Sequence, residues 1–211
     1  MDLSGEWFVI VNPNAGRRKG EKDWLEIASL LNEAGIRFTN VFTEHPNHAV
    51  KLARKYIETG YRQIIVVGGD GTLNEVVNGV YTQKKYPPRE ITLAMIPVGT
   101  GNDWGRSFDI PSGYREAIQV ISRHSTRLQD IGRVSYMHND LPKQRHFINM
   151  AGLGFDAMVA KRTNKAKESG KSGPFSYLIS LFTSLISYKP IICQVKVDGH
   201  EIDADVFSMS V

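Results

Sequence analysis

Residues 68–72 read GGDGT, and the aspartate set among the glycines is the first candidate for chemistry in this sequence. The run QIIVV before it has the composition of a buried strand, and the residues from Thr72 to Gly79 have the pattern of a helix. Where a strand runs into a helix, glycines let main-chain N–H groups approach a ligand closely, and the helix N-terminus adds partial positive charge. Such a corner suits phosphate. A carboxylate there repels phosphate unless it holds a magnesium ion or orients a donor, so one of those two uses is expected of Asp70. Thr72 is expected to cap the helix, with Asn74 and Glu75 in its first turn. Taken alone, the motif also reads as a tight turn with a solvated Asp70.

Two further stretches repeat the design. In PVGTGNDWGRSF, residues 97–108, Gly99 and Gly101 make an open turn, Thr100 offers a hydroxyl, and Asn102 or Asp103 begins a short helix. NPNAG, residues 12–16, follows the first strand and is itself followed by Arg17, Arg18 and Lys19, which read equally as phosphate ligands or as a solvated basic turn. Corners that end adjacent parallel strands face one crevice, where open α/β sheets bind ligands, so a nucleotide site is expected. The established fingerprints do not fit. GRRKGEK lacks the spacing and final Ser or Thr of a P-loop, and no G-x-G-x-x-G follows a strand and opens a helix.

The elements that must position these corners are legible as alternation. WFVIVN, IRFTNVF, QIIVV and TLAMIPV are short and rich in β-branched or aromatic residues, and several are apolar on both faces, as covered parallel strands are. Between them, residues 21–34 place Trp24, Ile27, Leu31 and Ala34 on one stripe and stop at Gly35, and HAVKLARKYIET stops at Gly60. The fold class is therefore α/β, a parallel sheet flanked by helices. The pattern changes near residue 126, and CQVKVDGHEIDADVFSMSV alternates as antiparallel strands do, with a tight turn at Asp198 and Gly199. Domains are expected at 1–128 and 129–211, the second β-rich and incomplete, because Val211 falls inside a strand pattern with no terminating turn. Residues 161–171, KRTNKAKESGK, read as a mobile basic loop. The apolar segment 175–190, with Phe175, Leu178, Phe182, Leu185 and Ile186 at helical spacing, reads first as a packed helix and second as a lipid contact beside that loop.

Composition narrows the partners. The chain has 211 residues, a net charge of +4 and a pI near 9.1, with its basic residues dispersed, so nucleic acid is not an expected partner. Cys193 is the only cysteine and the sequence opens without a basic-then-apolar signal, which points to a reducing cytoplasm. His45, His48, His124, His138, His146 and His200 have no zinc-site spacing and read as surface or loop residues. Self-association into a homo-oligomer is left open.

In order along the chain, NPNAG, GGDGTLNEVVNG, PVGTGNDWGRSF, DIGRV and FINMAGLGFDAMV resemble the diacylglycerol kinase catalytic-domain family, the soluble bacterial-type lipid kinases related to sphingosine and ceramide kinases. The resemblance spans nearly the whole chain and implies an ATP- and Mg2+-dependent transfer of the γ-phosphoryl group to the hydroxyl of diacylglycerol or a similar lipid. It implies a β-sandwich as the second domain, and contact with a lipid substrate at the inner membrane face. Asn12, Pro13, Asn14, Ala15 and Gly16 would form one side of the phosphate loop, with Thr43 near the nucleoside. Gly68, Gly69, Asp70, Gly71, Thr72, Asn74 and Glu75 would supply the main phosphate and magnesium contacts, Asp70 being the key catalytic carboxylate and metal ligand. Gly99 and Thr100 would close the site, and Asp103 would support catalysis near the acceptor or metal. Trp104 stands where the family more often has phenylalanine. The family's late Asp-Gly motif carries the general base; VDGHEID falls too early and reads as a hairpin turn, so the base is expected beyond Val211 and the fragment alone is expected to be inactive. GGDGT also resembles NAD kinases, and a non-catalytic nucleotide-dependent lipid-binding regulator on the same fold is the alternative from another class.

Overall fold

The computed structural model describes residues 5–98, 101–168 and 174–211, excepting the side chains of residues 164, 166–168, 174–178 and 180. Its packing forms two compact units, Met1–Asn149 and Met150–Val211.

In the first unit, strands β1 (Trp7–Val11), β2 (Phe38–Phe42), β3 (Gln63–Gly68) and β4 (Thr92–Pro97) form a parallel sheet in the order β2-β1-β3-β4. All five residues of β1 are buried, as a central strand with both faces covered requires. Phe8, Ile10, Ile64 and Val66 pack on one face against α3 (His48–Thr59) and α4 (Asp70–Thr82), through Ala49, Leu52, Ala53, Leu73, Val76 and Val77. Trp7, Val9, Val11, Ile65 and Val67 pack on the other face against α2 (Trp24–Glu33) and α6 (Tyr114–Ser122), through Ile27, Leu31, Ile118 and Ile121. The period of two along each strand thus feeds two cores. Helix ends expected at Gly35 and Gly60 are found there, with φ of 71° and 128°. Gly79 permits the close approach of α4 to α3: a Cβ there would lie 2.6 Å from the Ala53 Cβ and from the Val50 carbonyl oxygen.

The single helix expected over 21–34 is two elements, α1 (Ala15–Lys22) and α2, parted at Asp23. Gly16, Arg17 and Arg18 all have left-handed dihedrals, so the chain reverses tightly inside α1 before the regular helix begins. After α5 (Asp103–Ser107) and α6, the unit ends in a β-hairpin of β5 (Gly132–His138) and β6 (Leu141–Phe147) turning on Asn139 and Asp140, both at positive φ. This hairpin belongs to the first compact unit, so the division by packing falls at 149/150, whereas composition placed a domain boundary at 128/129.

The second unit contains β7 (Gly152–Gly154), α7 (Phe155–Glu168), α8 (Pro174–Ser187), β8 (Ile191–Val197), β9 (His200–Val206) and β10 (Ser208–Ser210). β7 pairs antiparallel with β10, and β8 with β9 through the expected Asp198–Gly199 turn, at φ of 48° and 84°. Phe155, Tyr188 and Phe207 form an aromatic cluster, Phe155 stacking on Phe207 at 4.7 Å. Two sequence expectations change here. Residues 161–168 continue α7 instead of forming a loop, since Lys, Arg and Ala are good helix formers whatever their charge; Ser169, Gly170 and Lys171 lie outside the described residues. On α8 the apolar stripe is not packed at Phe182, Leu185 and Ile186, which are exposed along with Ile179, while Ser184 is buried. Phe175 and Leu178 have side chains outside those described.

Candidate functional site

The three corners follow β1, β3 and β4, neighbours in one sheet. Val11 pairs with Val67 and Gly68 with Pro97, so all three strands reach the same rim. NPNAG, GGDGT and the loop after Pro97 therefore share the carboxyl edge of the sheet. Gly99 and Thr100 lie outside the described residues.

Specific contacts bind the corners to one another. Asn12 is central: its Oδ1 accepts the Asn14 main-chain N–H at 3.0 Å, and its Nδ2 donates to Thr72 Oγ1 at 2.9 Å, tying the first corner to the second. Its carbonyl oxygen would stand 2.0 Å from a Cβ on Gly20, which fixes that position as glycine. Gly16, at φ 59°, abuts the start of the third corner so closely that a Cβ would lie 1.8 Å from the Val98 carbonyl oxygen. Pro13, Asn14 and Ala15 complete this first corner. Thr43, at the end of β2, is buried and donates its N–H to the Val11 carbonyl at 2.8 Å, placing it beside the first corner.

The second corner is the start of α4. Gly69 is the N-cap and offers no side chain, so among the described residues no side-chain cap covers the first N–H groups of the helix. Thr72 is not the cap expected of it; it is the third helical residue, its hydroxyl accepts from Asn12, and a Cβ on Gly68 would lie 2.9 Å from it. Gly71 is different in kind. Among the described residues a Cβ there would meet nothing within 4 Å and its φ is not positive, so neither their packing nor backbone geometry asks for glycine. What an absent side chain leaves at this place is room for a ligand at the helix N-terminus.

Asp70 spends its carboxylate on the third corner. Oδ1 accepts the Trp104 main-chain N–H at 2.9 Å and Oδ2 that of Asp103 at 3.0 Å, so Asp70 caps α5 from 33 and 34 residues away. Of the two uses inferred for it, orienting donors is present in the protein itself. Asp103 pairs with Arg106, whose guanidinium also donates to the Gly101 carbonyl, and both side chains are 68% exposed. Trp104 is buried, stacks on Phe108 at 4.5 Å, and donates its indole N–H to Gln129 Oε1 at 2.7 Å.

Asn74 and Glu75 lie in the second turn of α4, not the first, because the helix begins at Asp70. The Asn74 Oδ1 is buried and has no hydrogen-bond partner among the described residues. Glu75 turns to α3, where Oε2 accepts the Ala49 N–H at 3.2 Å. One turn further on, Asn78 donates to the His146 carbonyl at 2.9 Å and accepts the His146 N–H at 2.9 Å, and the His146 ring stacks on Tyr81. His146 is thus a half-buried strand residue and not a loop residue. Burial, and then the charge of Arg133, lower its pKa. Beside the first and third corners a cavity of about 560 Å³ is lined by Lys19, Pro97, Val98, Asn102 and the Tyr114–Asp23 pair, where the tyrosine hydroxyl donates to the carboxylate at 2.6 Å.

The residues fit a phosphate-bearing ligand: an open glycine and an uncapped helix start lie on the rim, while the orphaned Asn74 Oδ1 one turn below is an acceptor and would meet a donor or a cation, not phosphate. For magnesium they offer less. No group of three or more His, Cys, Asp or Glu is gathered among the described residues, so Asp70 is the carboxylate available at the corner and phosphate oxygens and water would have to fill the remaining positions. Sequence reasoning missed Gln129, which lies in no motif, and the Asn78–His146 link, whose asparagine lies inside GGDGTLNEVVNG but whose partner on β6 carries no motif.

Comparison with known proteins agrees with the geometry. Residues 6–134 match the diacylglycerol kinase catalytic domain. A diacylglycerol kinase of Staphylococcus aureus is 34% identical over 193 residues, 91% of this chain and 57% of that protein. One from Staphylococcus saprophyticus is 34% identical over 191 residues, 90% of this chain and 58% of that protein. The crystal structure of a diacylglycerol kinase from Bacillus anthracis superposes with a TM-score of 0.68 at 25% identity, covering 98% of this chain and 63% of that one. The chain therefore spans less than two thirds of the length of these relatives. With its glycine corners in the matched region and its fold shared throughout, the chain belongs to the diacylglycerol kinase catalytic-domain family.

Proposed function

We propose that the protein is an ATP- and Mg2+-dependent lipid kinase that transfers the γ-phosphoryl group to the hydroxyl of diacylglycerol or a similar lipid alcohol. The observation that carries this reading is the convergence of three corners on one rim, with Gly71 open at the uncapped start of α4. Bound magnesium would offset phosphate charge, and the phosphates would complete its coordination with Asp70 as the protein carboxylate. The chain's own part is positioning. Main-chain N–H groups at Gly69–Gly71 would hold phosphate oxygens, Asn12 and Thr72 would keep the first two corners in register, and Asp70 would hold the third. Thr43 would border the nucleoside.

The basic Lys161, Arg162 and Lys165 on α7 together with the exposed Ile179, Phe182, Leu185 and Ile186 on α8 support peripheral contact with an anionic lipid surface. Among the described residues no helix is long and apolar enough to cross a membrane. Sedimentation of the full-length protein with anionic vesicles, lost in moderate salt, is the outcome this predicts.

The deciding assay gives the full-length protein magnesium and labelled ATP with diacylglycerol, monoacylglycerol, phosphatidylglycerol, sphingosine, ceramide and NAD in parallel. Gly71→Ala serves as control, because a Cβ there meets no described residue within 4 Å while a phosphate bound at the helix start would collide with it. Label in a lipid, lost in the control, sustains the reading; label in NAD alone moves it to an NAD kinase. ATP binding without label in any acceptor favours a regulator.

A further inference from the structure

A chain of side-chain hydrogen bonds leads away from Asp70. The carboxylate accepts the Trp104 main-chain N–H; the Trp104 indole N–H donates to Gln129 Oε1 at 2.7 Å; and Gln129 Nε2 donates to the Ile148 carbonyl at 2.8 Å. The return path runs through β6. Asn78 grips both main-chain groups of His146 and donates to the Asn74 carbonyl at 2.8 Å, which brings the path back to α4 one turn below Asp70. Every link lies within the first compact unit. Segment 127–129 also holds α5 from the aromatic side: the Arg127 guanidinium lies 4.7 Å from the Phe108 ring centroid, and Phe108 stacks on Trp104.

Gln129 uses both ends of its amide in this circuit, and each serves a group that has little alternative. Trp104 is buried, and an indole N–H has no other way to be satisfied than an acceptor within reach. Ile148 is buried in the core, and its carbonyl follows the last residue of β6, where the ladder no longer supplies a donor. A leucine or methionine at 129 would strand both.

We propose that Gln129 is a positioning residue for the phosphate site. It holds the Trp104 ring, and through the Trp104 main chain it sets where the third corner meets Asp70; its other end registers that corner against Ile148. Asp103, Trp104 and Asp70 keep their relative places only while the ring is held, because α5 is too short to stay put by its own hydrogen bonds. The consequence for binding rests on the nucleotide reading given above, and the consequence for α5 does not.

The test uses the full-length protein with Gln129→Met and, from the other end of the same bond, Trp104→Phe. Three quantities are measured: ADP affinity in magnesium by calorimetry, hydrogen exchange of the Trp104 indole and of the Asp103 and Trp104 main-chain amides, and the midpoint of thermal unfolding. Either variant is expected to weaken ADP about tenfold or more, the range found when a group that orients a site residue is removed, and to speed exchange at the two amides. The double variant should be little worse than either single one, because both cut one link. Weakened ADP with KM for the lipid unchanged separates positioning from general loosening. ADP affinity and amide exchange equal to the wild type would overturn the proposal even if the indole exchanges faster, as would an effect on ADP that only follows a fallen unfolding midpoint. If the wild type binds no ADP, the nucleotide reading fails, and the amide exchange alone then decides whether Gln129 positions α5.

Discussion

Asp70→Asn separates two reasons for a carboxylate at this corner by the sign of its effect on the ligand-free protein. The substitution keeps the shape and replaces one oxygen with an NH2 group. Both oxygens of Asp70 accept main-chain N–H groups, from Trp104 at 2.9 Å and from Asp103 at 3.0 Å, and an amide can accept only one of them. Trp104 is the buried partner, so the amide oxygen is expected to stay there, leaving NH2 against the Asp103 N–H, which can turn to water. A hydrogen bond to a charged group contributes about 1.5–3 kcal/mol, and exposure at Asp103 places this one toward the lower end, about 2 kcal/mol. At about 1.4 kcal/mol per tenfold, that is roughly 30-fold faster opening of α5. Hydrogen exchange at Asp103 and Trp104, without nucleotide or metal, measures it directly. A carboxylate kept only to meet a cation would behave in the opposite way, since removing its unpaired charge leaves the empty site unchanged or steadier. Exchange at wild-type rates in Asp70→Asn would therefore refute the capping argument.

Three other outcomes follow from named contacts. Gly16→Ala combines a left-handed φ with a Cβ placed 1.8 Å from the Val98 carbonyl oxygen, so a loss of about 2–4 kcal/mol is expected in denaturant titration, and a change under about 0.5 kcal/mol would contradict the packing of the first corner on the third. Burial first, then the bond to Asp23 and the charges of Asp23 and Glu26, hold the Tyr114 hydroxyl well above the usual tyrosine range. The neutral form is the one favoured by folding, so stability is present below about pH 10 and lost as pH climbs past it, a slope that Tyr114→Phe should lack while itself losing about 1 kcal/mol at neutral pH. For His146 the sign is reversed. Its pKa is lowered, the unfolded chain takes the proton first as pH falls past about 6.5, and unfolding midpoints at pH 7.5 and 5.5 should differ more for the wild type than for His146→Gln.

Local pattern reached as far as local causes reach. The four strands, the caps at Gly35 and Gly60 and the turn at Asp198–Gly199 follow from side-chain period and from where glycine is needed, and each is found where the sequence puts it. The rim itself was legible because adjacent parallel strands must end together. Hidden from it were the partners. Thr72 reads as a helix cap, yet its hydroxyl meets Asn12 from 60 residues away, and the helix starts three residues earlier than a Thr cap would allow. The charge run at 161–168 reads as loop because charge was weighed above helix propensity. Left-handed Arg17 and Arg18 are not forecast by residue type, since only the tight reversal against Val98 calls for them.

The common level at which β1, β3 and β4 stop has a consequence for how such a protein can change. Each strand advances about 3.3 Å per residue, so deleting one residue from β3 would drop its corner by about that distance below its neighbours and exchange the two faces of the strand. The Asn12–Thr72 and Asp70–Trp104 bonds tolerate no such step. Variation in strand length is closed to this architecture, whereas residues beyond the corners face no such gauge. New acceptors are then expected to arise by altering the walls above the rim while the floor stays fixed.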